Sequence, residues 1–512
     1  MKKTILKSLL AFAFITMHLS LNAQFSWFQQ FRTDGKDVYT NGTHVWRIGY
    51  FDNTTTIGST TLTSNGNYDI LVTKSDINGN VVWAKSFGGT KEDRGTALCV
   101  DASGNVYITG LFKEETTIGS DSYTSEAGYW QPNGYLAKLD NAGSMLWSRP
   151  ITCTEDCEGV SLAYDSAGDN VYFLASFLDT ITVGSTQLYG QYYPNSCMAK
   201  VTPAGDFTWA NKYTSYEARK LKSDAAGNVW FLYGTIGTTA NSYVKKIDPS
   251  GNSVSTLHFP GVIMRSFCID GLSNIWAAGS LIGTATLGAS TLTAQNWDVV
   301  VAKADASGTI TFAKNYGGAN SEHGISICAD PSNNVFVAGN KASTDMLDTH
   351  TSSGSTFFMQ LNNAGAEQWL GTIPGTTGLG DQAHGLCSDN AGNIFATGYF
   401  DAWAGNPITV NGNTYTVGGG FFARLNPGGT PPLGMEEFNL SAIALYPNPA
   451  SEVVTINWME EIRSYKVSSL SGQQFDLELN GNTLNVSDLP SGVYFLELQS
   501  DETIQQVKFI KK

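Results

Sequence analysis

The chain has 512 residues, with 30 basic against 45 acidic side chains, a formal charge of −15, 54 glycines and only 15% charged residues. An acidic chain with no basic stretch repels a phosphate backbone, which argues against nucleic acid as a partner. Many turn formers, 12% aromatics and no long 3.6-residue periodicity exclude a helical protein and predict an all-β chain.

The first segment has the layout of a secretory signal. Lys2, Lys3 and Lys7 give positive charge, Ile5 to Met17 is apolar, and Ala23 is a small residue for cleavage, although Leu21 is larger than the usual residue at −3. A cleaved signal peptide over 1–23 is expected, leaving 27 basic against 45 acidic residues, or −18. No later stretch offers the ~20 continuous apolar residues of a membrane span, so no transmembrane segment is expected in the mature chain.

A repeat follows. Asp-x-x-Gly-Asn, then an alternating strand and a glycine, recurs as DASGNVYITG from Asp101, DAAGNVWFLYG from Asp224, DPSNNVFVAG from Asp330 and DNAGNIFATG from Asp389. Looser copies begin at Asp165 and Asp270, and NGTHVWRIGYF is a degenerate first copy. Aligned on Val45, Val106, Val171, Val229, Ile275, Val335 and Ile394, the copies are spaced by 61, 65, 58, 46, 60 and 59 residues, one supersecondary unit repeated seven times. A second element trails each copy: Lys or Arg, Asp or Asn, Gly, and usually a Trp four residues on, as in Lys74, Asp76, Gly79 and Trp83. Phe312 and Ser255 stand in the Trp place of two copies, Thr202 in the acidic place of another, and the copy at Gln360, Asn362, Gly365 and Trp369 is looser. The seventh copy, at Arg424, Asn426 and Gly429, lacks its Trp, whereas FSWFQQF at the start supplies Trp27. An N-terminal strand that completes the last unit closes a ring and protects its edges. The expected fold is a seven-bladed β-propeller over 24–430 closed by an N-terminal strand, then a linker over 431–441 and a small C-terminal β-sandwich over 442–512.

SFGGTKEDRGTALCVDASGNVYITGLF (Ser86 to Phe112) and NYGGANSEHGISICADPSNNVFVAG (Asn315 to Gly339) resemble bacterial β-propeller repeats of the SBBP type. That resemblance implies a propeller and no single activity.

Of seven cysteines, Cys99, Cys268, Cys328 and Cys387 share one repeat position two residues before an Asp, which predicts small buried fillers. Cys153 and Cys157 are the expected disulfide pair, with Cys197 as an alternative partner.

In a four-stranded blade the 1→2 and 3→4 turns share one face and the 2→3 and 4→1 loops share the other. The Asp-x-x-Gly turns explain themselves, because Asp caps its own turn and Gly takes positive φ, and one acid per turn falls short of a calcium site. No metal or other cofactor is expected. The other face carries long loops with the candidate aromatics Tyr129, Trp130, Tyr192, Tyr193, Trp297 and Trp403, and the polar candidates Asp93, Glu322, His323, Asp381 and His384. Rings beside acids and amides suit a sugar, by stacking and hydrogen bonds. His323 and His384 occupy matching loop positions before a Gly. No HExxH, nucleophile elbow or phosphate loop occurs, so catalytic residues are not assigned. The expectation is a noncatalytic binding or adhesion module for glycan or protein. The alternatives are a polysaccharide-active hydrolase or lyase with loop acids at the channel, and a structural surface protein without a small ligand.

The tail is sharper. Tyr446, Pro447, Asn448, Pro449, Gly472, Leu489, Gly492, Tyr494, Lys508 and Phe509 stand where the type A sorting domain of type IX secretion has its motif residues, and the segment resembles that family across 442–512. The resemblance implies the type IX machinery and its surface sortase as partners, cleavage in the polar linker near 426–438, and release or attachment at the outer-membrane surface.

Overall fold

The structure is a computed structural model that describes residues 25–125, 131–191, 193–214, 217–235, 240–341, 346–347, 350–351, 354–373, 382–401, 407–410, 413–427, 443–458, 462–469, 473–499 and 504–512. It divides into two units, 1–428 and 429–512. Every element in the described residues is a strand.

The first unit is a series of antiparallel sheets with a shared four-stranded order, the second extended to six strands where Met145–Cys153 also pairs with Thr180–Val183 of the next hairpin. The inner strands are Asp34–Thr40, Asp93–Val100, Cys157–Asp165, Glu217–Ser223, Ile263–Ile269, His323–Ala329 and Gln382–Ser388. Each packs against the inner strand of the next sheet, and Gln382–Ser388 returns to Asp34–Thr40, so they form a closed cycle about a central channel. This arrangement is consistent with a propeller. The last sheet takes its outer strand from the N-terminus, where Phe25–Phe31 pairs with Gly419–Leu425.

The repeated motif residues build this order locally. Asp101 Oδ1 accepts the N–H groups of Ser103 and Asn105 at 3.0 and 2.9 Å, and Oδ2 accepts Asn105 Nδ2 at 2.8 Å, so the carboxylate closes its own turn. The Trp and Gly of the second element belong to neighbouring sheets. Trp83 donates its indole N–H to Asn141 O at 3.1 Å, Trp147 to Pro203 O at 3.0 Å and Trp209 to Pro249 O at 3.2 Å. Trp27 donates to Ile77 O at 3.1 Å in the same manner, so the N-terminal strand ties the last sheet to the first. Gly143 has φ +84° and faces the Trp83 ring, where an added Cβ would lie 3.0 Å from the indole, and this fixes glycine there on two counts. The repeat lysines do not cover these tryptophans. They lie over aromatics of the second strands, Lys74 over Trp46 at 5.1 Å and Lys138 over Tyr107 at 4.7 Å, and Lys138 also pairs with Asp101 at 3.3 Å.

The connections between second and third strands, expected as open loops, hold small hairpins: Thr54–Ile57 with Thr60–Thr63, Glu115–Ile118 with Asp121–Thr124, Thr180–Val183 with Thr186–Tyr189, and Ile408–Val410 with Asn413–Tyr415. In the fifth sheet the strands Ile275–Leu287 and Ser290–Ala304 run on into the same hairpin. Buried side chains anchor each hairpin, among them Ile57, Ile118, Ile181 with Val183, Leu287, and Ile408 with Val410. Cys153 and Cys157 form the disulfide, and Cys197 is free and buried. Cys99, Cys268 and Cys328 are free and buried, and Cys387 is free and half-buried.

In the second unit, the sheet of Ile443–Tyr446, Val453–Trp458, Thr483–Asn485 and Leu479–Asn480 and that of Gln474–Phe475, Ser464–Ser469, Gly492–Gln499 and Ile504–Lys511 enclose one apolar core that includes Val454, Val467, Leu489, Leu496 and Phe509.

Candidate binding face and sorting unit

All the inner strands carry a β-bulge at one place. Their pairing skips between Gly35 and Asp37, Gly95 and Ala97, Gly159 and Ser161, Ala218 and Lys220, Met264 and Ser266, Gly324 and Ser326, and Ala383 and Gly385. The glycine that ends several motif copies permits this. A Cβ on Gly110, Gly339 or Gly398 would stand 1.9, 1.9 or 2.0 Å from a carbonyl oxygen of the bulged strand. A bulge re-aims the residue it leaves unpaired. Those residues are Lys36, Thr96, Val160, Arg219, Arg265, Ile325 and His384, a ring with no acid in it.

On one side of this ring, Asp34 lies 2.8 Å from Lys36, accepts the Tyr50 hydroxyl at 2.8 Å and is 3.5 Å from His384 Nε2. Burial raises its pKa, but Lys36 and His384 outweigh that and hold it below the usual carboxylate range. Burial, followed by Lys36, pushes His384 down to about 4. A pocket of about 510 Å³ opens here, with Asp34, Tyr50, Asp52, Asn53, Tyr68 and Tyr399 in its wall. Tyr50 and Tyr68 meet edge to face at 5.1 Å, and the Arg94 guanidinium sits 4.7 and 5.3 Å from their rings. The size and mix of rings with a few convergent polar groups are those of a small-molecule site.

On the other side, Arg219 pairs with Glu217 at 3.3 Å and donates to Met264 O at 2.6 Å. His323 Nδ1 is 2.9 Å from Ser280 Oγ, its ring 5.8 Å from that of Trp297, and burial followed by Arg265 lowers its pKa to about 4. One residue further along the strand, Lys220 pairs with Asp37 of the first sheet at 3.0 Å, an ion pair that spans the channel.

The residues singled out in the sequence are dispersed. Tyr129, Trp130, Tyr192, Trp403 and Asp381 lie outside the described residues. Tyr193 is exposed, and Trp297 is half-buried against His323. Asp93 and Glu322, expected as loop acids, are fully buried: Asp93 Oδ2 accepts Gly89 N–H at 2.8 Å and Glu322 Oε2 accepts Gly318 N–H at 3.1 Å, so each closes a Gly-Gly turn. His323 and His384 are not equivalent. His323 opposes Asn340 in register, whereas His384 is the unpaired bulge residue of its strand. Tyr50 and Tyr399, which the sequence reading missed, share a signal: Gly-Tyr-Phe at the end of the second strand, at Gly49–Phe51 and Gly398–Phe400.

Of the sorting motif, Asn448 Oδ1 accepts Ile510 N–H at 2.9 Å, the Tyr494 hydroxyl donates to Pro490 O at 2.8 Å, and the Tyr494 and Phe509 rings stack at 5.6 Å. Leu489 is buried, Gly492 pairs with Lys511, Tyr446 and Lys508 are exposed, and Pro447 and Pro449 flank Asn448. Gly472 lies outside the described residues. The motif thus combines core residues with exposed ones.

No curated protein matches the chain. Among solved structures it is similar to one titled "Structure of Dos1 propeller", at 10% identity and a TM-score of 0.41, covering 79% of this chain and 95% of that one. Residues 444–512 match the family described as the secretion system C-terminal sorting domain. The chain therefore ends in a type IX secretion sorting domain, engages that machinery, and is secreted or attached at the outer-membrane surface.

Proposed function

We propose that the first unit is a seven-bladed β-propeller closed by Phe25–Phe31, and that outside the cell it acts as a noncatalytic binding module for a glycan. The pocket walled by Tyr50, Tyr68 and Tyr399 with Asp34, Asp52 and Asn53 carries this reading. Half-buried tyrosines offer flat faces for sugar rings, and the acids and amide offer acceptors for hydroxyls. The candidates Tyr193 and Trp297 extend the same reading to the long-loop face. Surface sortase cleavage within 431–441 separates the propeller from the sorting unit in this scheme.

The test is retention of the full chain on a panel of insoluble polysaccharides, with bound protein and released reducing ends read together. Tyr68→Ala and Tyr399→Ala are expected to weaken retention about tenfold each, the magnitude of one lost aromatic contact. Release of reducing ends by the wild type refutes the noncatalytic reading. Retention that neither variant changes refutes the site.

A further inference from the structure

The ring of bulge residues holds two pairs of basic side chains, each beside one carboxylate; in the first His384 is neutral at pH 7, whereas the second is two guanidiniums. Lys36 and His384 adjoin across the seam between the last sheet and the first, and Asp34 faces both. Arg219 and Arg265 adjoin between the fourth and fifth sheets. Their one acid, Glu217, is 3.3 Å from Arg219 Nη2, and Arg219 Nη1 is already committed to the Met264 carbonyl. Among the described residues Arg265 has neither an ion pair nor a hydrogen bond, although its side chain is exposed within the ring. Burial, followed by the adjacent Arg219, lowers its pKa, against a smaller raising effect of Glu217. His323 beside it is held neutral at pH 7. The Lys220–Asp37 pair lies one residue deeper and limits how far any ligand can enter.

We propose that Arg265, with Arg219 beside it, binds the oxyanion of an acidic glycan, a uronate carboxylate or a sulfate ester, at the mouth of the central channel. The Arg265 guanidinium presents a planar fork of donors that matches such an anion, and Arg219 adds positive charge beside it. A chain with a formal charge of −15 repels anions at long range, so a channel site where two guanidiniums share one carboxylate marks where an anion is admitted. This inference rests on the binding reading above for its glycan, though not for its anion.

The experiment is calorimetric titration of the full chain with sodium sulfate, a short oligogalacturonate and the methyl ester of that oligomer. The wild type is expected to bind the acid at least tenfold more tightly than the ester, and Arg265→Gln is expected to abolish that difference, the size of one charge-assisted hydrogen bond. Arg265→Lys, which keeps the charge and loses the fork, is expected to fall between them and guards against a misfolded glutamine variant. Equal binding of acid and ester overturns the anion site and leaves the glycan pocket standing. Sulfate binding that depends on Arg265, with neither oligomer bound, upholds the anion site, assigns it to a free anion and refutes the glycan. No binding of any anion, or anion binding unchanged in Arg265→Gln, overturns the proposal.

Discussion

Asp93→Asn should make the protein more stable, and increasingly so as pH rises. The Asp93 carboxyl is fully buried, and burial first, with the nearby Asp69 and Glu92 adding to it, raises its pKa from 3.8 to about 7. Oδ2 accepts Gly89 N–H, and this bond and the Thr116 hydroxyl only partly offset the burial. Because the folded pKa lies above the unfolded one, the associated stability is fully present below pH 3.8 and is lost as pH rises through 7. About three pKa units correspond to roughly 4 kcal/mol of penalty for the ionised form at pH 8, an upper figure because burial overstates desolvation when the site relaxes. Asparagine keeps the acceptor for Gly89 and carries no charge. The variant should therefore match the wild type near pH 4 and exceed it by on the order of 2–4 kcal/mol at pH 8, roughly 3–6 °C in melting temperature for a unit this large. Thermal melts followed by near-ultraviolet circular dichroism at pH 4, 6 and 8 measure this. A difference that does not change with pH, or a variant less stable at pH 8, refutes a buried and strained carboxylate.

Other outcomes follow from the same geometry. Trp27→Phe removes the indole donor to Ile77 O and should cost about 1 kcal/mol, as should Trp83→Phe, which loses its bond to Asn141 O; unequal losses in denaturant titrations would show that the N-terminal strand does not do the same job as the internal ones. His384 has its pKa lowered to about 4, so its contribution to stability is lost as pH falls from 6.5 through 4; His384→Gln should flatten that fall in denaturation midpoints measured at pH 7 and 4.5. The Cys153–Cys157 bridge closes a short loop worth about 2 kcal/mol, and mass spectrometry after alkylation of the native protein should find Cys99, Cys197, Cys268 and Cys328 unmodified until denaturant is added.

The repeat was legible because turns are chemically specific. Asp101 with Gly104, or Asp76 with Gly79, can be read at fixed offsets, since the carboxylate must reach its own turn N–H groups and Gly must take positive φ. The role of Trp27 was legible for a similar reason: the last unit stops before its fourth strand and FSWFQQF precedes the first unit, and its bond to Ile77 is the one Trp83, Trp147 and Trp209 make. The hairpins were less visible, because one or two buried aliphatics, such as Ile57 or Ile181 with Val183, in a Thr-rich stretch look like a loop. Acids posed the reverse problem. Asp93 beside Lys91 and Arg94 reads as solvated charge, and only the Gly88–Gly89 turn folding over it takes it out of water.

The binding face was the least legible part, and the bulge is the physical cause. Side chains alternate along a strand, so one inserted residue shifts everything beyond it to the other face. His323 and His384 each precede a glycine and look alike in sequence. Yet Gly324 comes before the bulge of its strand and Gly385 after it, so one histidine opposes Asn340 while the other is turned toward Asp34. The same shift brings Arg219 and Arg265, from repeats 46 residues apart, into one ring, although Arg219 follows an Ala and Arg265 a Met. A repeat that keeps its glycines and turns conserves the scaffold and the bulge together. The unpaired residue is then the one position in each inner strand that neither the ladder nor the turn constrains. Variation there changes the chemistry of the channel without changing the fold, and Arg265, with no ion pair among the described residues, stands at that position.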